Sequence, residues 1–306
     1  MSRVDIRVNV LEQSAQAFNQ YRGLLFALAY RMLGSGTDAE DIVQEAFVRW
    51  LQAGDERVQS PKAYLSTIVI RLCINQAESA RAQREVYVGS WLPEPILTSH
   101  HIEMAETAIK SESLSFAFLL LLQRLGPLER AVFLLREVFE FDYAEIVEIV
   151  DKSEANCRQI LHRAHQHLDQ HRKRFDVSCE QQTRLTELFL RASTSGDMQG
   201  LLNLLKEDVV FVGDGGGKVP IALKPVHGPD KVARGTTGGR RFFSPEIQAR
   251  IEEVNGQPAI IGYLHGHPCG VMMCEVEGER ICQIYGVVNP EKLHWLSTSS
   301  GLSVFC

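Results

Sequence analysis

Apolar residues recur at helical spacing through the first half of the chain. In the second half they give way to strand-like runs punctuated by glycine. Residues 14–110 and 111–175 read as helical, and a separate segment from about residue 180 reads as α+β. Two architectures therefore share one chain. No fixed-period repeat and no long low-complexity tract interrupts them, which excludes solenoids and large disordered arms.

In the first segment Phe18, Tyr21, Leu24, Leu25, Leu28, Met32 and Leu33 form one apolar stripe, ended by Gly34-Ser35-Gly36. Thr37 and Glu40 read as a capping box opening the next helix, in which Ile42, Val43, Ala46, Phe47 and Trp50 make the buried face. Asp41, Glu45 and Arg49 line another face. Ser60-Pro61 opens a third helix, since proline's missing N–H is harmless in a first turn. Leu65, Ile68, Val69, Ile70, Leu72 and Ile74 surround that helix almost fully and imply burial. Lys62, Arg71, Asn75, Arg81 and Arg84 remain as candidates for phosphate or base contacts. Trp50 and Tyr64 sit on apolar stripes and read as core rather than as base-stacking platforms.

Asp142-Tyr143-Ala144-Glu145 is a second capping box. Its short helix runs to Val150, Asp151-Lys152-Ser153 turns, and Glu154 opens a longer helix, giving a helix-turn-helix pattern. Cys157, Ile160, Leu161, Ala164 and Leu168 fall on its inner face. Ala155, Gln159, His162 and Gln166 point outward, flanked by Arg158 and Arg163. Such a face suits a major groove: residues near its N-terminus would read bases, while His162, Arg163 and Arg172-Lys173-Arg174 would hold phosphates.

Charge does not advertise nucleic-acid binding. Residues 1–175 carry 20 Lys+Arg and 23 Asp+Glu, net −3, so local clusters must do that work. Seven cysteines without regular spacing fit reduced thiols better than a disulfide framework. No apolar run approaches the roughly 20 residues of a membrane span, and the opening residues lack a secretory signal, so the expected location is the cytoplasm.

Trp91-Leu92-Pro93-Glu94-Pro95 reads as an extended linker whose apolar pair needs a covering surface. Beyond it an amphipathic helix precedes Val209-Val210-Phe211-Val212, a glycine loop and three more strand-like runs. One pair of these is joined by the hairpin signal Asn255-Gly256. A helix followed by a curved meander suggests a cone-like α+β fold. In Asp214-Gly215-Gly216-Gly217-Lys218 the residue after Lys218 is valine and no spaced leading glycine is present, so the loop is not a P-loop. His265, His267, Cys269 and Cys274 match no standard zinc spacing, and neither metal nor cofactor is expected. Asp214, His227 and His265 are the candidates for an acid–base role inside such a cone, though no pair is set by spacing.

Asp38-Ala39-Glu40-Asp41-Ile42-Val43-Gln44-Glu45-Ala46-Phe47 resembles the polymerase-binding helix of extracytoplasmic-function (ECF) sigma factors, and the order of segments matches that family. Gly126-Pro127-Leu128-Glu129-Arg130-Ala131-Val132-Phe133-Leu134-Leu135 resembles the helix pair before its promoter-reading motif. The linker, the DGGGK loop and Asn289-Pro290-Glu291-Lys292-Leu293 resemble signatures of the subgroup with a SnoaL-like extension. The resemblance implies a multidomain fold: two all-α helical sigma domains, the second a helix-turn-helix, followed by a SnoaL-like α+β cone-shaped barrel. Its expected parts are region 2 at 10–85, the linker at 86–110, region 4 at 111–175 and the extension at 181–298.

By the same resemblance, Asp41, Gln44 and Glu45 face the β′ clamp helices of core RNA polymerase, and region 4 meets the β flap. Arg57, Lys62, Arg71, Asn75 and Arg81 contact the minus-10 element. Glu154, Ala155, Arg158, Gln159, His162 and Arg163 contact the minus-35 element of promoter DNA. The loop from Gln52 to Ser60 captures a flipped base, with Asp55, Glu56, Arg57 and Gln59 as undistinguished candidates. Trp91, Leu92, Pro93, Asp214, Gly215, Gly216, Gly217, Lys218, Asn289 and Pro290 make the intramolecular regulatory contact. A separate anti-sigma factor and the sign of regulation are left open. The competing readings are a SnoaL-like small-molecule enzyme or a ligand sensor fused to a DNA-binding helix-turn-helix. Neither needs the motif at 38–47.

Overall fold

The computed structural model describes residues 3–53, 60–98, 115–169, 177–238 and 246–297. These fall into two units. One holds the residues up to Gln83 and from Phe118 to Asp169. The other holds Arg84 to Thr98, Ser115 to Ala117, and the residues from Val177 onward.

The helical unit begins with α1 (Arg3–Leu33), α2 (Gly36–Ala53) and α3 (Pro61–Glu85). The apolar stripes meet as their spacing requires: Leu25, Leu28 and Met32 of α1, Ile42, Val43 and Trp50 of α2, and Leu65, Val69 and Ile70 of α3 are buried. The start of α2 differs from the sequence reading. Ser35, not Thr37, supplies the cap, its Oγ accepting from the Asp38 N–H at 3.1 Å. Glu40 pairs with Arg22 across 18 residues instead of folding back on its own helix. Trp50 donates its indole N–H to Ser14 O at 2.9 Å, so it is a core residue with its polar end satisfied.

From Phe118 on, this unit comprises the remainder of α4 (Phe116–Leu122), α5 (Pro127–Phe133) with a π-helical turn at Leu134–Val138, α6 (Tyr143–Val150) and α7 (Glu154–Asp169). Both halves of the Asp142–Glu145 capping box form: Glu145 N–H to Asp142 Oδ1 at 2.8 Å, and Asp142 N–H to Glu145 Oε2 at 3.0 Å. Asp151 ends α6 in the left-handed region, φ 53°, which turns the chain into α7. Arg130 is 5% exposed and donates to Leu122 O, Leu125 O and Met32 O, the last at the end of α1. One guanidinium thereby satisfies carbonyls from both halves of the unit.

The second unit packs α8 (Cys179–Ser195), α9 (Met198–Leu204) and α10 (Pro229–Gly238) against a mixed six-stranded sheet. Its strands are β1 (Leu205–Asp214), β2 (Val226–His227), β3 (Ile247–Val254), β4 (Gln257–Leu264), β5 (His267–Glu277) and β6 (Arg280–Val287), in the order β2-β1-β6-β5-β4-β3. Only β1–β6 is parallel among the described pairings. Phe189, Leu201, Val209, Ile260, Met272 and Ile284 close the core between helices and sheet. Helices followed by a mostly antiparallel meander make this unit α+β. Asn255-Gly256 makes the β3–β4 hairpin with both residues at positive φ, 53° and 74°. No described helix is long and apolar enough to cross a membrane.

Candidate functional site

In the helical unit, the buried stripe of α2 turns Asp41, Gln44 and Glu45 outward together, and all three are exposed. Glu45 pairs with Arg49 at 2.8 Å along the same face. On α7 the buried residues Cys157, Ile160, Leu161, Ala164 and Leu168 leave Glu154, Ala155, Arg158, Gln159, His162 and Arg163 facing solvent.

Arg158 is not a free side chain. Glu154 Oε1 accepts from its Nε at 2.9 Å and its Nη2 at 2.7 Å, and its guanidinium lies 4.1 Å from the Tyr143 ring centroid. Glu154 and Arg158 are thus paired one turn apart on the exposed face of α7. His162 is bonded to Gln166 at 3.1 Å.

The residues expected at the minus-10 element divide. Arg71 and Asn75 are exposed one turn apart on α3. Lys62 is half-buried, with its ammonium 4.1 Å from the Phe141 ring centroid. Arg57, with Asp55, Glu56 and Gln59, and the side chains of Arg81 and Arg84 lie outside the described residues, as do Arg172-Lys173-Arg174.

The second unit holds a dense polar cluster around Asp214. Asp214 ends β1 fully buried and accepts four hydrogen bonds. Oδ1 accepts from Tyr87 Oη at 2.6 Å and Gly216 N–H at 3.0 Å; Oδ2 accepts from Leu92 N–H at 2.8 Å and Lys292 Nζ at 2.7 Å. Four donors fill a carboxylate's capacity, which makes its burial tolerable.

Lys292, 6% exposed, also donates to Leu92 O at 2.6 Å and lies over the Trp91 and Tyr87 rings, 4.2 and 4.9 Å from their centroids. Asn289 donates to Tyr87 Oη at 2.9 Å and caps the following turn by accepting from Glu291 N–H. Burial first, and then the bond to Asp214, push the Tyr87 phenol well above its ordinary pKa, so it stays a donor.

The linker is thus clamped backbone and side chain. Leu92, Pro93, Ile96 and Leu97 are buried, and each aliphatic side chain contributes roughly 1.5–3 kcal/mol by leaving water. A second anchor follows at the β3–β4 turn, where Ile96 N–H donates to Asn255 Oδ1, Asn255 N–H to Ile96 O, and Gly256 N–H to Thr98 Oγ1. Nearer α4, Phe116 packs on Tyr285, and the Ala117 N–H bonds buried Glu275.

Gly216 and Gly217 turn at φ 58° and 71°; a Cβ on Gly216 would strike Asn289, and one on Gly217 would crowd Val88 at 3.2 Å. Gly215 is buried, and its Cβ would overlap Val219 O. Gly217 thus lets the linker approach at Val88, while Gly215 and Gly216 let the loop fold tightly on Val219 and Asn289.

Lys218 is exposed and paired with Glu291, and the lysine bonded to the linker is Lys292. Pro290 is exposed and opens the turn after Asn289. Tyr87 and Lys292 were not among the contact residues expected from sequence. Lys292 stands within the Asn289–Leu293 signature, 74 positions beyond the lysine of the DGGGK motif.

The acid–base candidates do not form a set: Asp214 is saturated, and His227 and His265 are exposed on β2 and the β4–β5 turn. Among the described residues no three His, Cys, Asp or Glu side chains gather as a metal site. Cys274 is buried in β5, and Cys269 donates to Gly262 O.

Comparison with known proteins bears directly on this layout. Residues 17–83 match Sigma-70 region 2 and residues 115–168 match Sigma-70 region 4. The chain is 32% identical over 287 residues to the ECF RNA polymerase sigma factor SigJ of Mycobacterium tuberculosis, covering 90% of this chain and 91% of that protein. The chain belongs to the ECF sigma factors. The probable ECF sigma factor SigI of the same organism is 31% identical, over 93% of this chain and 96% of that protein. The crystal structure of SigJ matches with a TM-score of 0.73 at 30% identity, covering 93% of this chain and 99% of that one. The match spans the C-terminal domain as well as the helices, so this is an alternative sigma factor of the extended kind.

Proposed function

We propose that this ECF sigma factor brings core RNA polymerase to its promoters through two surfaces of the helical unit, while the C-terminal domain restrains or orders it in cis through the linker. The parts take the boundaries 10–85, 86–110, 111–175 and 181–298. Asp41, Gln44 and Glu45 meet the β′ clamp helices, region 4 meets the β flap, and α7 enters the major groove at the minus-35 element. Arg71 and Asn75 serve the minus-10 element, and Lys62 joins them only when Phe141 moves away. The protein does no covalent chemistry; it exchanges protein–DNA contacts against the cost of unpairing bases. The observation that carries this reading is an exposed acidic face on α2 and an exposed helix-turn-helix face on one chain.

The test is run-off transcription with purified core polymerase. Wild-type protein should yield specific transcripts. Asp41→Lys/Glu45→Lys should retain wild-type circular dichroism and lose about tenfold or more in polymerase affinity, since like charges now face the partner. Unchanged affinity of the folded variant would count against the polymerase surface.

For promoter reading, Gln159→Ala and Arg158→Ala are expected to change base preference at the upstream element. Glu154→Gln, which releases Arg158, should alter the same base position as Arg158→Ala. Identical selection profiles for all four proteins would show that another face of α7 enters the groove.

A further inference from the structure

Beside the linker anchor, the C-terminal unit holds a partly open cavity of about 460 Å³ between the sheet, α10 and the segment that follows the glycine loop. Its walls are apolar: Phe211 and Met272 on the sheet, Val232 on α10, and Ile221. An empty space of this size forfeits packing contacts, and water in it would find few polar partners. Its volume is that of a small-molecule site. Two polar side chains on the wall are already occupied: Thr236 donates to Val232 O at 2.6 Å, and Cys269 to Gly262 O at 3.3 Å. Lys231 supplies the charge on the lining.

The same walls continue into the linker anchor. Val219, which lines the cavity, donates its N–H to Gly215 O, and the Gly216 N–H is one of the four donors to Asp214. Val288, also on the wall, donates its N–H to Asp214 O at 2.8 Å and precedes Asn289. Ile221 packs so closely over Gly213 that a Cβ there would overlap it, and it reaches ordinary contact distance of the Gly286 position, which Phe211 crowds. A molecule pressing on Ile221 therefore pushes on both chain segments that hold Asp214 and Asn289.

We propose that this cavity binds a small apolar carboxylic acid, its chain among the aliphatic walls and its carboxylate at Lys231, and that occupancy changes how firmly Asp214 holds the linker. The coupling half rests on the cis-regulatory reading above; binding itself does not.

The experiment titrates full-length protein calorimetrically with decanoate and, separately, decanol, both below micelle formation. Saturable one-to-one binding of decanoate is expected. Lys231→Met, an exposed position, should weaken decanoate about fivefold and leave decanol unchanged. Gly235→Leu extends a side chain from α10 where a Cβ meets nothing within 4 Å, and should weaken both probes about tenfold or more. Ala222→Phe fills the cavity from the opposite wall and repeats the test if Gly235→Leu does not fold.

Absence of saturable binding, or undiminished binding to a folded cavity-filled variant, overturns the site. Equal loss of decanol in Lys231→Met overturns the carboxylate assignment. For the coupling, hydrogen exchange at the Leu92 amide should change at least about threefold at saturating decanoate. Binding without that change overturns the link to the linker, whatever transcription shows.

Discussion

Asp214→Asn is expected to destabilise the C-terminal unit by about 3–5 kcal/mol, because it leaves the Lys292 ammonium buried without its counter-charge. Asparagine fits the space, but its amide brings hydrogens to a site surrounded by the donors Tyr87, Leu92, Gly216 and Lys292. The measurement is native-state hydrogen exchange at the slowest amides of β1 and β6, which report opening of the unit. Asp214→Asn/Lys292→Met should recover a substantial part of the loss, since removing both charges avoids the orphan. The Leu92 amide, which donates directly to Asp214, should lose protection in either variant. Transcription should shift in the same variants, because the linker joins the two segments that recognise a promoter. Wild-type protection in Asp214→Asn, or a double variant worse than the single one, would mean the cluster contributes little.

Arg130→Met is expected to cost the helical unit about 3–5 kcal/mol, by removing a charge-assisted bond to each of three buried carbonyls and leaving those oxygens without that donor. Met32 belongs to the segment matching Sigma-70 region 2, and Leu122 and Leu125 to that matching region 4, so the loss falls on the contact between them. Arg130→Lys should restore less than about half of the stability, since an ammonium lacks the planar fork that reaches acceptors on two sides. Exchange at α1 and α7 amides measures the effect. Equal protection in the lysine variant would show that charge alone suffices and that the fork geometry is incidental.

Much of the exposed surface of α2 and α7 could be read directly from the residues. The spacing of Ile42, Val43, Ala46 and Trp50 already assigns Asp41, Gln44 and Glu45 to the outside. Likewise Cys157, Ile160, Leu161 and Leu168 assign Gln159 and Arg163. The Asp142–Glu145 box and the Asn255-Gly256 turn are equally local: caps, periods and turns are decided by atoms a few residues apart. The same logic misplaced the cap of α2, because Thr37 and Ser35 both suit the role and only the path from α1 selects Ser35.

The order of elements and the face each presents follow from interactions within one or two turns of chain, so both are legible in the residues. Tertiary structure alone decided which polar groups meet. Lys292 reaches Leu92 across 200 residues of sequence, Tyr87 reaches Asn289 across 202, and the side chain of a hairpin asparagine, Asn255, receives the linker at Ile96. It also decided that Lys218 pairs with Glu291, that Lys62 rests on Phe141, and that a cavity remains behind Ile221. A buried charge is acceptable only where every lone pair and hydrogen finds a partner, and that condition involves segments whose proximity no local pattern encodes.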